Sequence, residues 1–356
     1  ITLATTIDDE EYEYKNGQSV NNWDKKYIGP TRVRYGIEHS MNVLAVKTLT
    51  DYVGETESYD YLLNFGFTTL SEDDKYSQAK ALGGITNGVY NIEMTAAYAA
   101  IANGGTYTKP ILYTQVLDHD GNVLLDNTTP ETHEVLKDST AYLLTSAMED
   151  VVNGAGGTGG SARLSNMPVA AKTGTSQESR DLWISAFTPY YTASVWGGYD
   201  EHKTMDRLSQ NWHQKLWRNI MERIQDTKGL EYKDFEIPSS VEEKTVCTET
   251  GLLAASSCPA ITEYFSKDNA PTKSCSGHYV APSEDFEEDD TESSDETTPA
   301  TGTDSSGTTS SPDSSSGGTT TDPTAGGDSG GTTGTTTGDT SGSTTGGDTG
   351  SGSTTQ

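Results

Sequence analysis

Apolar residues recur three or four positions apart in several segments of the chain, which is the spacing of one face of an α-helix. The helices that this pattern predicts cover residues 31–40, 42–52, 58–63, 91–104, 139–153 and about 208–224. The ends of the helix over 91–104 are marked most clearly, because Asn91 can cap it, Glu93 lies in its first turn and Gly104 can stop it.

In some shorter segments apolar and polar residues alternate, and in others apolar residues follow one another. Both patterns are typical of strands. A hairpin is predicted over 111–125, and two strands over 181–187 and 191–199 are joined by Thr188-Pro189-Tyr190. Residues up to Pro30 form a loop-like stretch with short extended pieces, in which Trp23 is expected to be an anchor. Residues 236–281 are expected to be rich in loops. The pattern therefore predicts an α/β (α+β) fold.

Composition changes sharply near the end of the chain. From about residue 281 large apolar residues are almost absent, and from about 299 the chain consists of Thr, Ser, Gly and Asp with Pro, Ala and a final Gln. Such a segment cannot bury enough apolar surface to offset the entropy of ordering it. The pattern predicts a disordered, acidic, Ser/Thr/Gly-rich tail over 283–356.

The tail also carries half of the charge. It holds 15 acidic residues and no Lys or Arg, so half of the formal charge of −30 remains on residues 1–282. That acidity argues against nucleic acid as a partner, because phosphate binding requires a basic surface. There is no run of about 18 apolar residues, the length of a membrane span. Since Ile1 already begins a strand-like segment, we expect the chain to be the C-terminal piece of a longer protein.

The three cysteines, Cys247, Cys258 and Cys275, all lie late in the chain. They include no Cys-x-x-Cys pair, and no histidine cluster at ligand spacing is evident beside them, so we expect no metal site. No organic cofactor is indicated either. A disulfide between Cys247 and Cys258 outside the cytoplasm remains an open alternative.

The chemistry is concentrated in two short motifs. Lys172-Thr173-Gly174-Thr175 stands at the end of a predicted strand that begins near Pro168, and Ser40-Met41-Asn42 lies far upstream between two predicted helices. Each motif alone is weak evidence. Lys172 could be a solvated lysine at the end of a strand, and Ser40 and Asn42 could be helix caps. Their order and their combination are far more specific.

A Ser-x-Asn followed by a Lys-Thr-Gly resembles the active-site set of penicillin-binding proteins and serine β-lactamases. Further segments from near residue 1 to about 260 are similar to the transpeptidase domain of class A penicillin-binding proteins. These segments are Asn22-Trp23, 36–43, 81–84, 93–99, 102–107, 171–175, 181–183 and 195–200.

The resemblance implies a penicillin-binding protein or serine β-lactamase-like antiparallel sheet with flanking helices, truncated at its N-terminus. It implies a transpeptidase domain over 1–235, incomplete at its start, a loop-rich C-terminal extension over 236–282, and the tail over 283–356. It also implies a glycosyltransferase module and a membrane anchor in the intact protein.

The resemblance further implies how a peptide ending in D-Ala-D-Ala is held. Lys172 and the hydroxyls of Thr173 and Thr175 would bind the terminal carboxylate by charge-assisted hydrogen bonds. The backbone N–H of Thr175 would be one of two donors to the oxyanion. Gly174 would let the substrate lie alongside the strand.

Two catalytic roles are implied for the upstream motif. Ser40 would pass a proton between the general base and the leaving nitrogen, and Asn42 would hold the peptide amide. The nucleophilic serine and the base should come from a Ser-x-x-Lys ahead of Ser40, and this chain does not contain it there. We therefore expect the nucleophile to lie upstream of Ile1.

Two other motifs are interpreted as structural. Ser77-Gln-Ala-Lys80 has the Ser-x-x-Lys pattern but follows the Ser-x-Asn, in a polar stretch. Gly154-Ala-Gly-Gly-Thr-Gly159 has the G-x-G-x-x-G pattern, yet a helix precedes it where a dinucleotide site requires a strand, so a flexible loop is expected. His39 is expected to be structural.

The implied function is peptidoglycan cross-linking through a serine acyl-enzyme, with β-lactams as inhibitors, at the extracytoplasmic face of the bacterial membrane. Other cell-wall synthesis proteins are possible partners. D,D-carboxypeptidase activity and a non-catalytic cell-wall scaffold are the alternatives. Without the family's first strands, the segment 191–199 would have an unpaired edge, so we expect the chain alone to be inactive and poorly folded.

Overall fold

The computed structural model describes residues 1–201, 203–205 and 211–278. The predicted tail over 283–356 and the predicted start of the last helix near 208 lie outside the described residues. None of the described helices is both long enough and apolar enough to cross a membrane.

The described residues form short strands and helices that alternate along the chain. The strands are β1 Thr6–Asp9, β2 Tyr12–Glu13, β3 Ser19–Val20, β4 Gly29–Arg32, β5 Thr106–Thr108, β6 Gln115–Leu117, β7 Val123–Asp126, β8 Thr132–Glu134, β9 Ala170–Thr175, β10 Asp181–Phe187, β11 Thr192–Gly198, β12 Val241–Cys247 and β13 Ala260–Ser266. The helices are α1 Val33–Glu38, α2 Asn42–Lys47, α3 Glu55–Asn64, α4 Glu72–Lys75, α5 Asn91–Ala102, α6 Asp138–Asn153 and α7 Trp212–Lys228.

The centre of the fold is an antiparallel sheet with the order β11-β10-β9. One of its faces packs against α7, where Ile184 and Ala186 meet Trp217 and Met221. The other face carries Phe187 and Ala170 and packs against residues of α5 and α6. Because helices cover both faces, β10 is almost wholly buried, and its largely apolar sequence fits that position.

Both outer edges of this sheet lack a strand partner among the described residues. β9 pairs with β10 on one side only, and so does β11. The edge of β9 carries the Lys-Thr-Gly motif, and the edge of β11 carries the half-exposed Trp196. The observation at β11 agrees with the unpaired edge expected from the sequence.

Three local predictions differ from the structure. Residues 29–32 form β4, which pairs with β1, so the predicted helix over 31–40 begins only at Val33. The predicted helix over 42–52 continues beyond Lys47 as the π-helical turn Thr48–Val53. The stretch predicted as loop-rich contains the seven-residue hairpin strands β12 and β13. The strand β4 is formed by pairing with β1, which leaves no local periodicity, and the successive charged residues of β12 interrupt its apolar alternation, so these strands were not predicted.

Trp23 is also not a buried anchor. Its side chain is 68% exposed, although its indole N–H donates to the carbonyl oxygen of His39 at 3.1 Å. The buried residue of that segment is its neighbour Asn22, which is only 3% exposed.

Candidate active site

The Lys-Thr-Gly motif lies on the outer edge of β9. Ala170 and Ala171, at the start of the strand, are fully buried in the core, and exposure increases toward Thr175. The apolar half of β9 therefore anchors it in the sheet, and its polar half reaches the surface. Gly174 is opposite Trp183, and a Cβ atom on it would lie 3.3 Å from the Cβ of Trp183. The glycine thus fits tight cross-strand packing.

Ser40 occupies the turn that ends α1. The backbone N–H of Met41 donates to the carbonyl oxygen of Gly36 at 2.9 Å, and that of Ser40 donates to Ile37 at 3.3 Å. These two hydrogen bonds together form the Schellman motif, in which the residue at the turn is usually glycine. Ser40 takes this position with a φ of +55°, a left-handed conformation that costs a non-glycine residue about 1–3 kcal/mol.

Folding brings the two motifs into direct contact. The Lys172 Nζ donates a hydrogen bond of 2.7 Å to the Ser40 Oγ and a second bond of 3.0 Å to the carbonyl oxygen of Thr173. The two residues are 132 positions apart in sequence. A serine in a strained conformation that meets a lysine on a sheet edge is typical of a functional site.

The ammonium group of Lys172 is electrostatically unbalanced. Burial of the group lowers the pKa of Lys172 to about 8, because a desolvated cation is less stable than its neutral form. Within the described part of the chain, no carboxylate forms an ion pair with it. The site therefore presents a cation with spare hydrogen-bonding capacity next to an open strand edge.

Thr173 is oriented by a second segment. Its Oγ1 lies 2.7 Å from the Oγ1 of Thr158, and the carbonyl oxygen of Thr158 accepts a bond from the Gln214 side chain at 3.0 Å. Thr175 is exposed at the end of the strand. Both hydroxyl groups thus stand on the same strand as Lys172.

Asn42 is the first residue of α2, and its Nδ2 donates to the carbonyl oxygen of Asn21 at 2.8 Å. The neighbouring side chain of Asn22 accepts a 3.2 Å bond from the backbone N–H of Val43 and donates 2.7 Å and 2.9 Å bonds to Asp9 and Lys26. Asn22 therefore fixes the start of α2. In the sequence, Asn22 is notable only for its resemblance to the family, and no local pattern indicates this positioning role.

The glycine loop over 154–160 packs directly on the end of α1. A Cβ atom on Gly154 would lie 2.0 Å from the Glu38 Oε1, and one on Gly156 would lie 2.0 Å from the His39 Nε2. His39 itself stacks on Tyr35, with ring centroids 3.7 Å apart, which agrees with a structural role. These glycines serve close packing beside Ser40, and the loop is held by contacts that the sequence did not indicate.

The second Ser-x-x-Lys motif has a different arrangement. The Lys80 Nζ donates to the carbonyl oxygens of Ser77 and Lys75 at 2.9 Å and 3.2 Å. These hydrogen bonds hold the turn between Lys75 and Lys80, and they involve neither Lys172 nor Ser40. The geometry therefore agrees with the interpretation of Ser77 as a structural residue.

Two family models match this chain. The model of the penicillin binding protein transpeptidase domain matches residues 1–222, and the model of the penicillin-binding protein 1A C-terminal domain matches residues 237–279.

Curated relatives give the same result. The chain is 32% identical over 291 residues to penicillin-binding protein 1A/1B of Bacillus subtilis, covering 75% of this chain and 31% of the relative. It is 38% identical over 228 residues to penicillin-binding protein 1A of Clostridium acetobutylicum, covering 64% of this chain and 27% of the relative. The chain thus spans less than a third of the length of these two relatives.

Solved structures show the same fold. Penicillin-binding protein 1A from Haemophilus influenzae aligns with a TM-score of 0.64 at 23% identity, covering 77% of this chain and 46% of that one. The PonA1 protein from Mycobacterium tuberculosis in complex with penicillin V aligns with a TM-score of 0.57 at 24% identity, covering 67% of each chain.

Proposed function

Because the chain belongs to the penicillin-binding protein transpeptidase family, we propose that it is the D,D-transpeptidase region of a bifunctional cell-wall synthase. In the intact protein this region cross-links peptidoglycan stem peptides that end in D-Ala-D-Ala, and β-lactams bind covalently at the same site. The PonA1 complex with penicillin V supports the second part of this proposal. The site then faces the extracytoplasmic side of the bacterial membrane, where peptidoglycan is built.

The observation that carries the proposal is the contact between Lys172 and Ser40. The Lys172 ammonium lies beside an open strand edge, 2.7 Å from a hydroxyl oxygen, and no carboxylate of the described residues neutralises it. A peptide that extends along the edge of β9 can add backbone hydrogen bonds to the sheet. Its C-terminal carboxylate then pairs with Lys172 and the hydroxyls of Thr173 and Thr175.

The remaining roles follow from acyl transfer. A serine oxygen attacks the carbonyl of the penultimate D-Ala, and the developing oxyanion accepts a bond from the N–H of Thr175. Ser40 passes a proton to the leaving nitrogen, so that the peptide C–N bond breaks and the terminal D-Ala leaves. Asn42 holds the amide of the peptide. An amine of a second stem peptide then attacks the ester and frees the serine.

The nucleophile belongs, in this proposal, to a Ser-x-x-Lys segment ahead of Ile1 in the intact protein. Its lysine acts as the general base, and its serine supplies the second N–H of the oxyanion hole. The match to a transpeptidase model favours cross-linking over the D,D-carboxypeptidase and scaffold alternatives.

Labelling with a fluorescent penicillin tests the proposal. The polypeptide extended upstream of Ile1 is compared with the chain 1–356, and the extended form is also tested as Lys172→Met. Loss of one charge-assisted bond, worth about 1.5–3 kcal/mol, should slow labelling about 10- to 100-fold. Lys109→Met is the matched control, because Lys109 forms an exposed surface ion pair with Glu131.

Labelling of the extended form, slowed by Lys172→Met and not by Lys109→Met, is the expected result. Labelling of the chain 1–356 would place the nucleophile within it, and Ser77→Ala would then show whether Ser77 is that residue. A folded extended form that takes up no penicillin would overturn the acyltransferase proposal.

A further inference from the structure

The three cysteines of this chain meet a histidine in the C-terminal extension. The Sγ atoms of Cys247, Cys258 and Cys275 and a ring nitrogen of His278 all lie within 4.8 Å of one another. The His278 Nε2 is 3.0 Å from the Sγ of Cys247 and 3.5 Å from that of Cys275. In a tetrahedral zinc site, Zn–S and Zn–N bonds of about 2.3 and 2.0 Å leave the ligand atoms roughly 3.5–3.8 Å apart.

This clustering corrects the expectation drawn from ligand spacing. The cysteines are widely separated in sequence, but Cys275-Ser-Gly-His278 is a ligand pair with two intervening residues, a spacing that metal sites use. A search for Cys-x-x-Cys pairs alone does not find this Cys-x-x-His pair. All three cysteines are free thiols in the structure, and Cys247 and Cys275 are buried, so the Cys247–Cys258 disulfide considered from the sequence is not formed.

The backbone holds these ligands in place. Leu253 forms an antiparallel bridge with Val246 and a parallel bridge with Ser274, so the residues just before Cys247 and Cys275 lie on either side of it. The N–H of Cys275 donates to the carbonyl oxygen of Leu253 at 2.8 Å. Gly277, with a φ of +89°, allows the turn between Cys275 and His278. The cluster thus rests on main-chain geometry as well as on side-chain placement.

Hydrogen bonds from neighbouring residues support the cluster. The Nδ1 of His278 lies 3.0 Å from the Glu249 Oε2, which leaves Nε2 directed at the sulfur atoms. Metal-binding histidines commonly donate their other ring N–H to a carboxylate in this way. The backbone N–H of Ala255 donates to the Sγ of Cys258 at 3.3 Å, and such bonds stabilise a thiolate.

We propose that Cys247, Cys258, Cys275 and His278 bind one Zn²⁺ ion in a closed structural site. Three thiolates and one imidazole form a ligand set that suits tetrahedral zinc, and four protein ligands leave no position open for a substrate. A disulfide would use only two of the three sulfur atoms. The site goes beyond the transpeptidase function and does not depend on it.

The zinc ion would hold the extension against the start of the chain. The hairpin of β12 and β13 packs Val246 and Phe265 against the fully buried Ala4, and the Asn269 side chain donates to the carbonyl oxygen of Ile1 at 3.2 Å. This apolar cluster is small, and small units with little core commonly depend on metals. Zinc therefore stabilises the contact between the extension and residues 1–6.

Zinc content tests this site directly. The chain 1–356 and its upstream-extended form are purified with a thiol reductant and zinc, and metal is measured by mass spectrometry after removal of unbound ions. We expect one zinc per chain, lost in Cys258→Ser and His278→Ala. His119→Ala is the matched control, because His119 is highly exposed and belongs to another hairpin.

A gentler variant separates binding from folding. Glu249→Gln keeps all four ligands and should weaken zinc binding about 10- to 100-fold in competition with a chromophoric chelator. Cobalt substitution should give the visible absorption of tetrahedral cobalt bound to thiolate. Circular dichroism shows whether each variant keeps its secondary structure.

Three results would overturn the site. They are an absence of zinc from both reduced, folded forms, full zinc content in the folded Cys258→Ser variant, and a disulfide between two of these cysteines in protein isolated without reductant. None of these readouts uses penicillin labelling, so failure of this proposal and failure of the transpeptidase proposal remain distinguishable.

Discussion

Ser40 has a left-handed backbone conformation, which at the end of a helix is usually adopted by glycine. Its φ of +55° is unfavourable for a residue with a side chain and therefore lowers stability. Its hydroxyl oxygen accepts the hydrogen bond from Lys172 at 2.7 Å. A residue that keeps such a conformation in spite of the strain is usually retained for its side chain. The site thus combines a strained serine with a partly buried cation.

Replacing Ser40 should separate stability from activity. Ser40→Gly relieves the left-handed strain and should raise the free energy of unfolding by about 1 kcal/mol, measured by urea denaturation of the extended polypeptide. Ser40→Ala removes the same hydroxyl and keeps the strain, so it should not be stabilised. Both variants should label slowly with penicillin. Equal stability of the two variants would contradict the strain argument.

Lys172 predicts a pH dependence of carboxylate recognition. Its pKa is lowered to about 8 by burial, so the ammonium is present below pH 8 and is lost as the pH rises through that value. Acylation by a penicillin carrying a carboxylate should therefore fall above about pH 8. The profile is compared with that of Lys172→Arg, whose guanidinium stays charged. An unchanged alkaline limb in Lys172→Arg would assign the titration to another group.

Ser40 and Lys172 are positioned by close packing of the helix α1, the glycine loop and the strand β9. The loop over 154–160 lies on the end of α1, and β9 is held by its buried alanines. The helices α5 and α6 and the strands β10 and β11 were predicted within about two residues, because their apolar patterns are local and strong. The strand β4 was missed because it is formed by pairing with β1, and the hairpin of β12 and β13 was missed because β12 has no regular alternation of apolar residues.

A methyl group added within the glycine loop should disturb the end of α1. Gly156→Ala places a Cβ atom 2.0 Å from the His39 Nε2, and His39 is held by stacking on Tyr35. We expect a loss of about 1–3 kcal/mol in the free energy of unfolding, with slower penicillin labelling because the end of α1 shifts. Gly160→Ala is the control, since the nearest atom to its added Cβ lies 3.8 Å away. Equal stability of the two variants would show that the loop adapts.

In the central sheet of the molecule, the outer strand β11 has a free edge among the described residues. An unpaired edge with partly exposed apolar residues favours association with other chains. The chain 1–356 should therefore unfold over a broad temperature range or aggregate, and extension upstream of Ile1 should sharpen the transition. Calorimetry and light scattering measure both properties. A sharp, reversible transition of the chain 1–356 would contradict this prediction.

The sequence by itself determined the family, the main helices, the strands β10 and β11, and the identity of both motifs, because each depends on neighbouring residues or on short patterns. Only the tertiary structure decided which distant groups meet. The contact of Ser40 with Lys172 spans 132 positions, the buried Asn22 fixes the start of α2, and three separated cysteines meet beside His278 in the extension. Such encounters depend on how buried surfaces pack, and packing joins segments whose order in the chain carries no local signal.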